Sequence, residues 1–224
     1  MTGDLANDRI STGWSVDING SGIMARRENP VKELRENQIK EAALKLFSEK
    51  GFHNTTITQI SEAADLGKGT IYWYWKSKEE LAFSLVEDML KDFVRLIEGA
   101  RDGAGPVRER FERMVAEVAE LYYRETEYLR LLWKFRVDRS YIFSEDYTDK
   151  VTSYYVRMRR ALEDMLQQGI RDGEFRSMDT QRMAFILLGI VEGLELEWLE
   201  NEGELSMREA LIEIMGIVFT SIVL

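Results

Sequence analysis

Residues 63–78, AADLGKGTIYWYWKSK, decide the fold of this chain. The two alanines suit the end of a short helix, a turn follows at Asp65–Gly67, and a second short helix begins at Lys68. Another turn precedes Ser77, which with Glu80 marks the start of a further helix. Two short helices joined by a tight turn are typical of a helix-turn-helix, whose second helix enters the major groove of DNA.

The second short helix carries the side chains that we expect to contact DNA. Lysine neutralises phosphates, threonine and tyrosine hydroxyls donate hydrogen bonds, and glycine lets two backbones approach closely. Ile71 and Trp75 are expected on its core face, and Trp73 is the exposed candidate for an apolar base or sugar contact. Tyr72 and Tyr74 have a structural role as the alternative. The predicted DNA-contacting residues are Thr56, Lys68, Gly69, Thr70, Tyr72, Trp73, Tyr74 and Lys78.

Two helices are predicted upstream of this stretch. The first covers about residues 31–50, because its apolar residues recur at helical spacing, and Gly51 ends it. The second begins at Thr56, which forms a capping box with Gln59, and ends near Ala64. Its inward residues should be Ile57, Ile60, Ala63 and Ala64.

The rest of the chain also predicts helices, because no segment keeps a period of two and only two prolines occur. They cover about residues 77–100, 107–123, 127–136, 146–171, 180–200 and 206–223. The fold class is therefore all-α. Residues 29–81 form a three-helix helix-turn-helix domain, residues 82–224 form a larger helical bundle for effector binding and dimerisation, and residues 1–28 form a flexible leader or upstream extension.

Composition limits the function classes. The chain has no cysteine and one histidine, so disulfides, zinc fingers, cysteine nucleophiles and multi-histidine metal sites are excluded. No Gly-rich phosphate loop or Glu-x-x-His motif supports an enzyme, and we expect no cofactor and no metal. No apolar run approaches the ~20 residues that span a bilayer. A cytoplasmic protein without membrane contact is predicted.

The charge is divided unevenly along the chain. The formal net charge is −10, yet residues 24–81 hold ten Lys/Arg and nine Asp/Glu. The acidity therefore lies mostly in residues 82–224. A locally basic nucleic-acid head on an acidic body fits this division, and the simpler alternative is that the acidity keeps the body soluble.

The residues between about 35 and 81 resemble the N-terminal domain of tetracycline-repressor (TetR) family regulators. The resemblance is carried by Gly51-Phe52, Thr55-Thr56, Lys68-Gly69-Thr70-Ile71-Tyr72 and Ser77-Lys78-Glu79-Glu80-Leu81. It implies a homodimeric regulator, in most members a repressor, whose larger domain binds a small molecule that weakens DNA binding.

Three positions depart from the family pattern. Asp65 stands where glycine is usual, and aspartate tolerates positive φ better than most residues. Gly67 replaces a serine or threonine cap, at a cost of a few tenths of a kcal/mol. Trp75 replaces the usual phenylalanine, which the core must accommodate.

The last two predicted helices carry more apolar residues than one face of a helix needs. Gly189 and Gly193, four residues apart, would let another helix approach closely. A two-fold four-helix interface follows, with a buried intrachain helix pair as the alternative. The predicted interface residues are Leu188, Gly189, Gly193, Leu196, Met215, Phe219 and Ile222.

An effector site is harder to locate from sequence, because any apolar candidate can equally be ordinary core. The predicted residues are Met89, Phe93, Tyr122, Trp133, Arg136, Tyr154, Met158, Glu195 and Trp198. Acidic residues such as Glu195 favour lipophilic cations, whereas Arg136 favours an acyl or carboxylate effector. The sequence leaves both open.

The function predicted from these features is a homodimeric repressor of a palindromic operator on double-stranded DNA, released by a small-molecule effector. The alternative is a helical ligand-binding or assembly protein whose helix-turn-helix no longer reads DNA. The set Lys68, Thr70, Tyr72, Tyr74 and Lys78 argues against that alternative.

Overall fold

The computed structural model describes residues 30–142, 145–201 and 206–223, with only the backbone described for residues 30 and 136–142. Within these ranges the regular structure is helical, which confirms the all-α prediction. The predicted leader, residues 1–28, lies outside them. The helices are α1 (Pro30–Lys50), α2 (Ile57–Ala63), α3 (Lys68–Tyr74), α4 (Lys78–Asp102), α5 (Val107–Arg124), α6 (Thr126–Ile142), α7 (Glu145–Arg171), α8 (Thr180–Glu200) and α9 (Met207–Ile222).

Helices α1, α2 and α3 form a small head around Phe47, Ile60 and Ile71, all of which are fully buried. Local chemistry fixes the two short helices. The hydroxyl of Thr56 caps α2 by accepting a hydrogen bond from the backbone N–H of Gln59, and the Gln59 side chain accepts one from the backbone N–H of Thr56. Asp65 adopts a φ of 52°, so the aspartate supports the left-handed turn as expected.

Three details differ from the sequence predictions. Helix α6 continues to Ile142, beyond the expected end at residue 136. Ala63 is exposed instead of facing the core. Ser77 caps α4, but the Glu80 carboxylate accepts from the Lys76 amide at 2.6 Å, so the reciprocal half of the capping box is displaced by one residue.

Helix α4 joins the head to the body. It begins at the head, contacts α1 and α6, and packs most extensively on α7. The predicted domain boundary at residue 81 therefore falls inside its first turn. At its other end, the guanidinium of the buried Arg110 donates to the carbonyls of Ala100 and Arg101 and to the Gln168 side chain. Arg110 thereby satisfies the last carbonyls of α4 and links α4, α5 and α7.

A tight turn connects α7 to the segment before α8. Gly173 has a φ of 75°, and the chain folds back so that the Phe175 ring covers Gly169, where an added Cβ would lie 2.2 Å from the ring. Phe175 stacks on Phe219 with ring centroids 6.0 Å apart. Phe219 and Ile222, predicted as dimer-interface residues, are thus buried within one chain, because α9 turns them towards α5 and this turn.

Candidate DNA-binding surface and effector cavity

The outer face of α3 is open. Lys68 and Gly69 are exposed, and Tyr72 and Trp73 expose 53% and 67% of their surface. A Cβ added at Gly69 would meet no atom within 4 Å, so nothing in the chain blocks an approaching backbone there. Ile71 and Trp75 face the core as predicted. The face combines a cation, hydroxyls and an exposed indole.

Tyr74 differs from the expectation that its hydroxyl donates to DNA. The hydroxyl donates to the backbone carbonyl of Lys32 at 3.0 Å, and the ring lies edge-on to Trp73 at 4.7 Å. A tyrosine hydroxyl has one proton. Tyr74 therefore joins α3 to the start of α1, and its place as a DNA donor stays a prediction that requires this bond to break.

Lys78 is also engaged inside the protein. Its ammonium donates to the carbonyls of Phe52 and Thr55 at 2.6 and 2.7 Å and lies 4.3 Å from the centre of the Phe52 ring. Burial lowers the pKa of this lysine. Two of its three protons are directed at the loop between α1 and α2, which leaves one for a phosphate.

Thr56 combines two positions that matter for DNA. Its hydroxyl accepts from the Gln59 amide at 3.2 Å and so caps α2, while the residue remains exposed. Thr70, next to Gly69, is half-buried. The predicted surface residues Thr56, Lys68, Gly69, Thr70, Tyr72 and Trp73 therefore remain accessible.

Sequence reasoning missed two cations near this face. Lys32 and Arg35, one turn apart on α1, line a cleft together with Gly69, Thr70 and Trp73. The motif offers no signal for them, because they precede α3 by more than thirty residues and only the packing of α1 against α3 brings them together.

A cavity of about 90 Å³ lies in the body. Every body helix contributes to its wall, for example through Phe93, Met114, Leu132, Met158, Leu187 and Leu211. The lining is apolar except for two tyrosines and two glutamates. Such a wall suits an apolar ligand with few polar groups.

Glu195 is the most buried carboxylate at this cavity, with 5% of its surface exposed. It accepts hydrogen bonds from the indole nitrogen of Trp133 at 2.6 Å and from the Tyr122 hydroxyl at 3.3 Å. Burial, and the negative charge of Glu195 beside it, raise the pKa of Tyr122 well above its usual range. The hydroxyl therefore remains a proton donor to Glu195.

The structure separates the predicted effector residues into three groups. Phe93, Tyr122, Met158 and Glu195 line the cavity, and Trp133 reaches it through Glu195. Met89 belongs to the core, Tyr154 donates to Glu87, and Trp198 packs on Tyr123, so these three lie outside the cavity wall. The side chain of Arg136 lies outside the described residues.

The outer face of α8 and α9 is apolar and exposed. Phe185, Ile212 and Ile217 each expose more than half of their surface, and Leu196 is exposed as well. Added Cβ atoms at Gly189 and Gly193 would meet no atom within 4 Å. Leu188 and Met215, which were predicted for the same face, are half-buried and line the cavity.

Among the helices that the structure describes, none combines the length and apolar character needed to cross a membrane.

Comparisons with known proteins agree with this architecture. Residues 39–85 match the family model for bacterial regulatory proteins of the tetR family, and residues 104–222 match that for the tetracyclin repressor-like C-terminal domain. The HTH-type transcriptional regulator YhgD of Bacillus subtilis (strain 168) is 28% identical over 171 residues, which cover 73% of this chain and 84% of YhgD. The fatty acid metabolism regulator protein of the same organism is 22% identical over 74% of this chain and 84% of its own length.

Solved structures show the same fold. The fatty acid degradation regulator FadR of Bacillus halodurans aligns with a TM-score of 0.72 at 19% identity, over 87% of this chain and 97% of its own. PfmR of Thermus thermophilus aligns with a TM-score of 0.70 at 23% identity, over 81% and 97%. With both domain models matched in order along its length, the chain belongs to the TetR family of DNA-binding transcriptional regulators.

Proposed function

We propose that the protein is a homodimeric repressor that binds a palindromic operator and is released when a small apolar effector enters the body cavity. One observation carries the proposal: a single chain combines an open, cationic and hydroxyl-bearing α3 face with an apolar cavity in a separate bundle. The first suits duplex DNA and the second suits an effector.

DNA binding is tested with a palindromic fragment from the promoter region of the protein's own gene. We expect a mobility shift whose affinity falls steeply with salt, because phosphate contacts release counterions. Lys68→Ala should weaken binding to all sequences, whereas Lys45→Ala, an exposed lysine on α1, should not. If the wild-type protein shifts no genomic fragment, the alternative of a ligand-binding or assembly protein replaces this proposal.

The α8–α9 face supports the dimer. Two copies that bury this face would form a two-fold dimer, and a palindromic operator offers such a dimer two half-sites about 34 Å apart. Ile217→Glu should convert the dimer into a monomer in analytical ultracentrifugation, because a carboxylate would be buried in the interface. Val156→Glu, on α7, is the matched control, since Val156 is exposed but lies on another helix. A wild-type monomer would contradict the dimer.

The effector is inferred from the cavity wall. A related solved structure, FadR of Bacillus subtilis, was determined in complex with stearoyl-CoA, whose acyl chain is apolar. The cavity here measures about 90 Å³, smaller than an engineered cavity of roughly 150 Å³ that admits benzene. We infer that a long apolar chain enters by displacing side chains of the wall, and that this displacement changes the conformation of the body.

Helix α6 connects the cavity with the head. Leu132 lines the cavity, and Trp133 donates to Glu195. In the next two residues, Lys134 donates to the Ser48 carbonyl at 3.0 Å and the Phe135 ring lies 6.4 Å from the Phe47 ring. We infer that an effector that disturbs Trp133 shifts α6 and, through Phe135, the orientation of the head.

This route is tested by measuring DNA affinity with and without stearoyl-CoA, and separately with stearate. Trp133→Phe removes the bond to Glu195 but keeps an aromatic ring, so the ratio of the two affinities should move towards one. Arg95→Ala, on the exposed side of α4, is the control. An unchanged ratio in Trp133→Phe would contradict the route through α6, and a wild-type ratio of one with both probes would contradict an acyl effector.

A further inference from the structure

A cleft of about 420 Å³ opens between the first turns of α1 and the face of α3. Val31, Lys32 and Arg35 form one side, and the other side is formed by Gly69, Thr70, Trp73 and Tyr74. The cleft therefore adjoins the surface that the family resemblance assigns to DNA, but three of its seven lining residues belong to α1, which precedes the two helices of the helix-turn-helix motif.

The cleft is cationic. Lys32 and Arg35 are exposed and stand three residues apart, on the same side of α1. None of the residues that line the cleft is acidic. Glu36, the nearest carboxylate in sequence on this side of α1, pairs with Lys40 at 2.8 Å. Two exposed, positively charged residues thus line the same cleft as Gly69, beside which a backbone has room to approach.

Two contacts hold Lys32 in place. Its ammonium lies 5.5 Å from the centre of the Trp73 ring, a distance at which a cation is attracted to the face of an indole. Its carbonyl accepts the hydroxyl proton of Tyr74 at 3.0 Å. The side chain and the backbone of Lys32 are therefore both anchored by α3.

We propose that this cleft binds a phosphate of the DNA backbone through Lys32 and Arg35, which makes α1 a further DNA-contacting helix. Trp73 then supports the Lys32 ammonium as a wall of the cleft, instead of reading a base. Tyr74 is a positioning residue, because it acts on DNA through Lys32. The inference rests on the proposed DNA-binding function and extends it by a contact outside the helix-turn-helix.

Duplex DNA is the occupant that the surroundings favour. The cleft shares Gly69, Thr70 and Trp73 with the α3 face, and the exposed Lys68 directly precedes Gly69. A phosphate contact is independent of sequence and reduces the salt dependence when it is lost, whereas a base contact changes sequence preference. These two signatures separate the proposal from a base-reading role.

The experiment compares full-length Lys32→Ala and Arg35→Ala with Lys45→Ala, which removes an exposed lysine about 20 Å further along α1. Binding to the operator fragment and to a scrambled duplex is measured by fluorescence anisotropy across a salt series. We expect Lys32→Ala to weaken both by a similar factor of several-fold and to reduce the log–log salt slope by about two, one contact in each protomer. Lys45→Ala should match the wild type.

Other variants separate the possible failures. Trp73→Ala should lower affinity for both duplexes alike; a changed base preference would overturn the role of Trp73 as a wall. If Lys68→Ala weakens binding while Lys32→Ala and Arg35→Ala keep the wild-type salt slope, the cleft proposal is wrong but the proposed DNA-binding function stands. If the wild-type protein binds no duplex, both the cleft proposal and the proposed DNA-binding function are wrong. Equal competition by millimolar inorganic phosphate and by duplex would show a free-anion site, and so also overturn it.

Discussion

The α3 face and the body cavity differ in exposure and polarity: the first is open and polar, and the second is lined mainly by apolar side chains. On the α3 face, Tyr72 and Trp73 are exposed and Gly69 leaves open space, so its groups are free to meet a ligand that brings its own charge. In the body, the cavity is lined mainly by apolar side chains, and the carboxylate of Glu195 accepts hydrogen bonds from Trp133 and Tyr122. Changes at the surface should therefore alter affinity, and changes in the body interior should alter stability first.

The largest expected effect lies in the body, at Arg110. Arg110→Met removes a buried guanidinium that donates to two α4 carbonyls and to Gln168, and leaves those acceptors without donors. We expect the free energy of unfolding to fall by about 3 kcal/mol, measured by urea denaturation. DNA affinity at a temperature where the variant is folded should remain near wild type. A stability change below about 1 kcal/mol would contradict this role.

Gly169 provides a second test in the body. Gly169→Ala places a methyl group 2.2 Å from the Phe175 ring, so the ring and its stack on Phe219 must move. The expected loss is about 1–3 kcal/mol. Gly99→Ala is the matched control, because Gly99 is exposed on α4 with no atom within 4 Å of the new methyl. It should raise stability by up to about 1 kcal/mol.

Thr56 is expected to affect both stability and DNA affinity, since it caps α2 and is also exposed. Thr56→Ala should lower stability by about 1 kcal/mol through loss of the cap. Thr56→Asp keeps a capping oxygen but adds a negative charge. Its stability should stay within about 0.5 kcal/mol of wild type, while DNA affinity falls about tenfold or more if a phosphate lies nearby. Unchanged affinity in Thr56→Asp would remove Thr56 from the DNA surface.

The smallest expected effect is a pH dependence in the body. Burial, together with the hydrogen bond to Glu87, raises the pKa of Tyr154 to about 12. The unfolded chain releases this proton near pH 10. The contribution of Tyr154 to stability is therefore complete below pH 10 and is lost as the pH rises towards 12. Tyr154→Phe should flatten the curve of unfolding free energy against pH in that window, measured by urea denaturation.

The sequence predicted the head well because its signals are local. Thr56 and Gln59 are three residues apart, and Asp65 to Lys68 form one turn, so spacing alone placed α2 and α3. It failed where geometry depends on distant segments. The proton donors of Tyr74 and Lys78 are directed at carbonyls of Lys32, Phe52 and Thr55, a result of packing that no local pattern encodes.

The cavity shows the same limit more strongly. Its wall draws on six helices, and each contributes apolar residues that resemble ordinary core in sequence. Phe93, Tyr122, Met158 and Glu195 were predicted, but Met89 and Trp198 were equally plausible from sequence and lie elsewhere. Helical period alone cannot distinguish a side chain that fills the core from one that borders a void.

The contact of Phe135, on α6, with aromatic rings of the head affects the design of chimeric regulators. The centre of its ring lies 6.1 Å from that of Phe52 and 6.4 Å from that of Phe47, so a residue of α6 contributes to the aromatic packing of the head. A graft that transfers only residues 31–81 to a foreign scaffold would leave a hole beside those rings. The unit to transfer is therefore discontinuous, and it must include residues 132–135 of α6 if the transplanted head is to keep its packing.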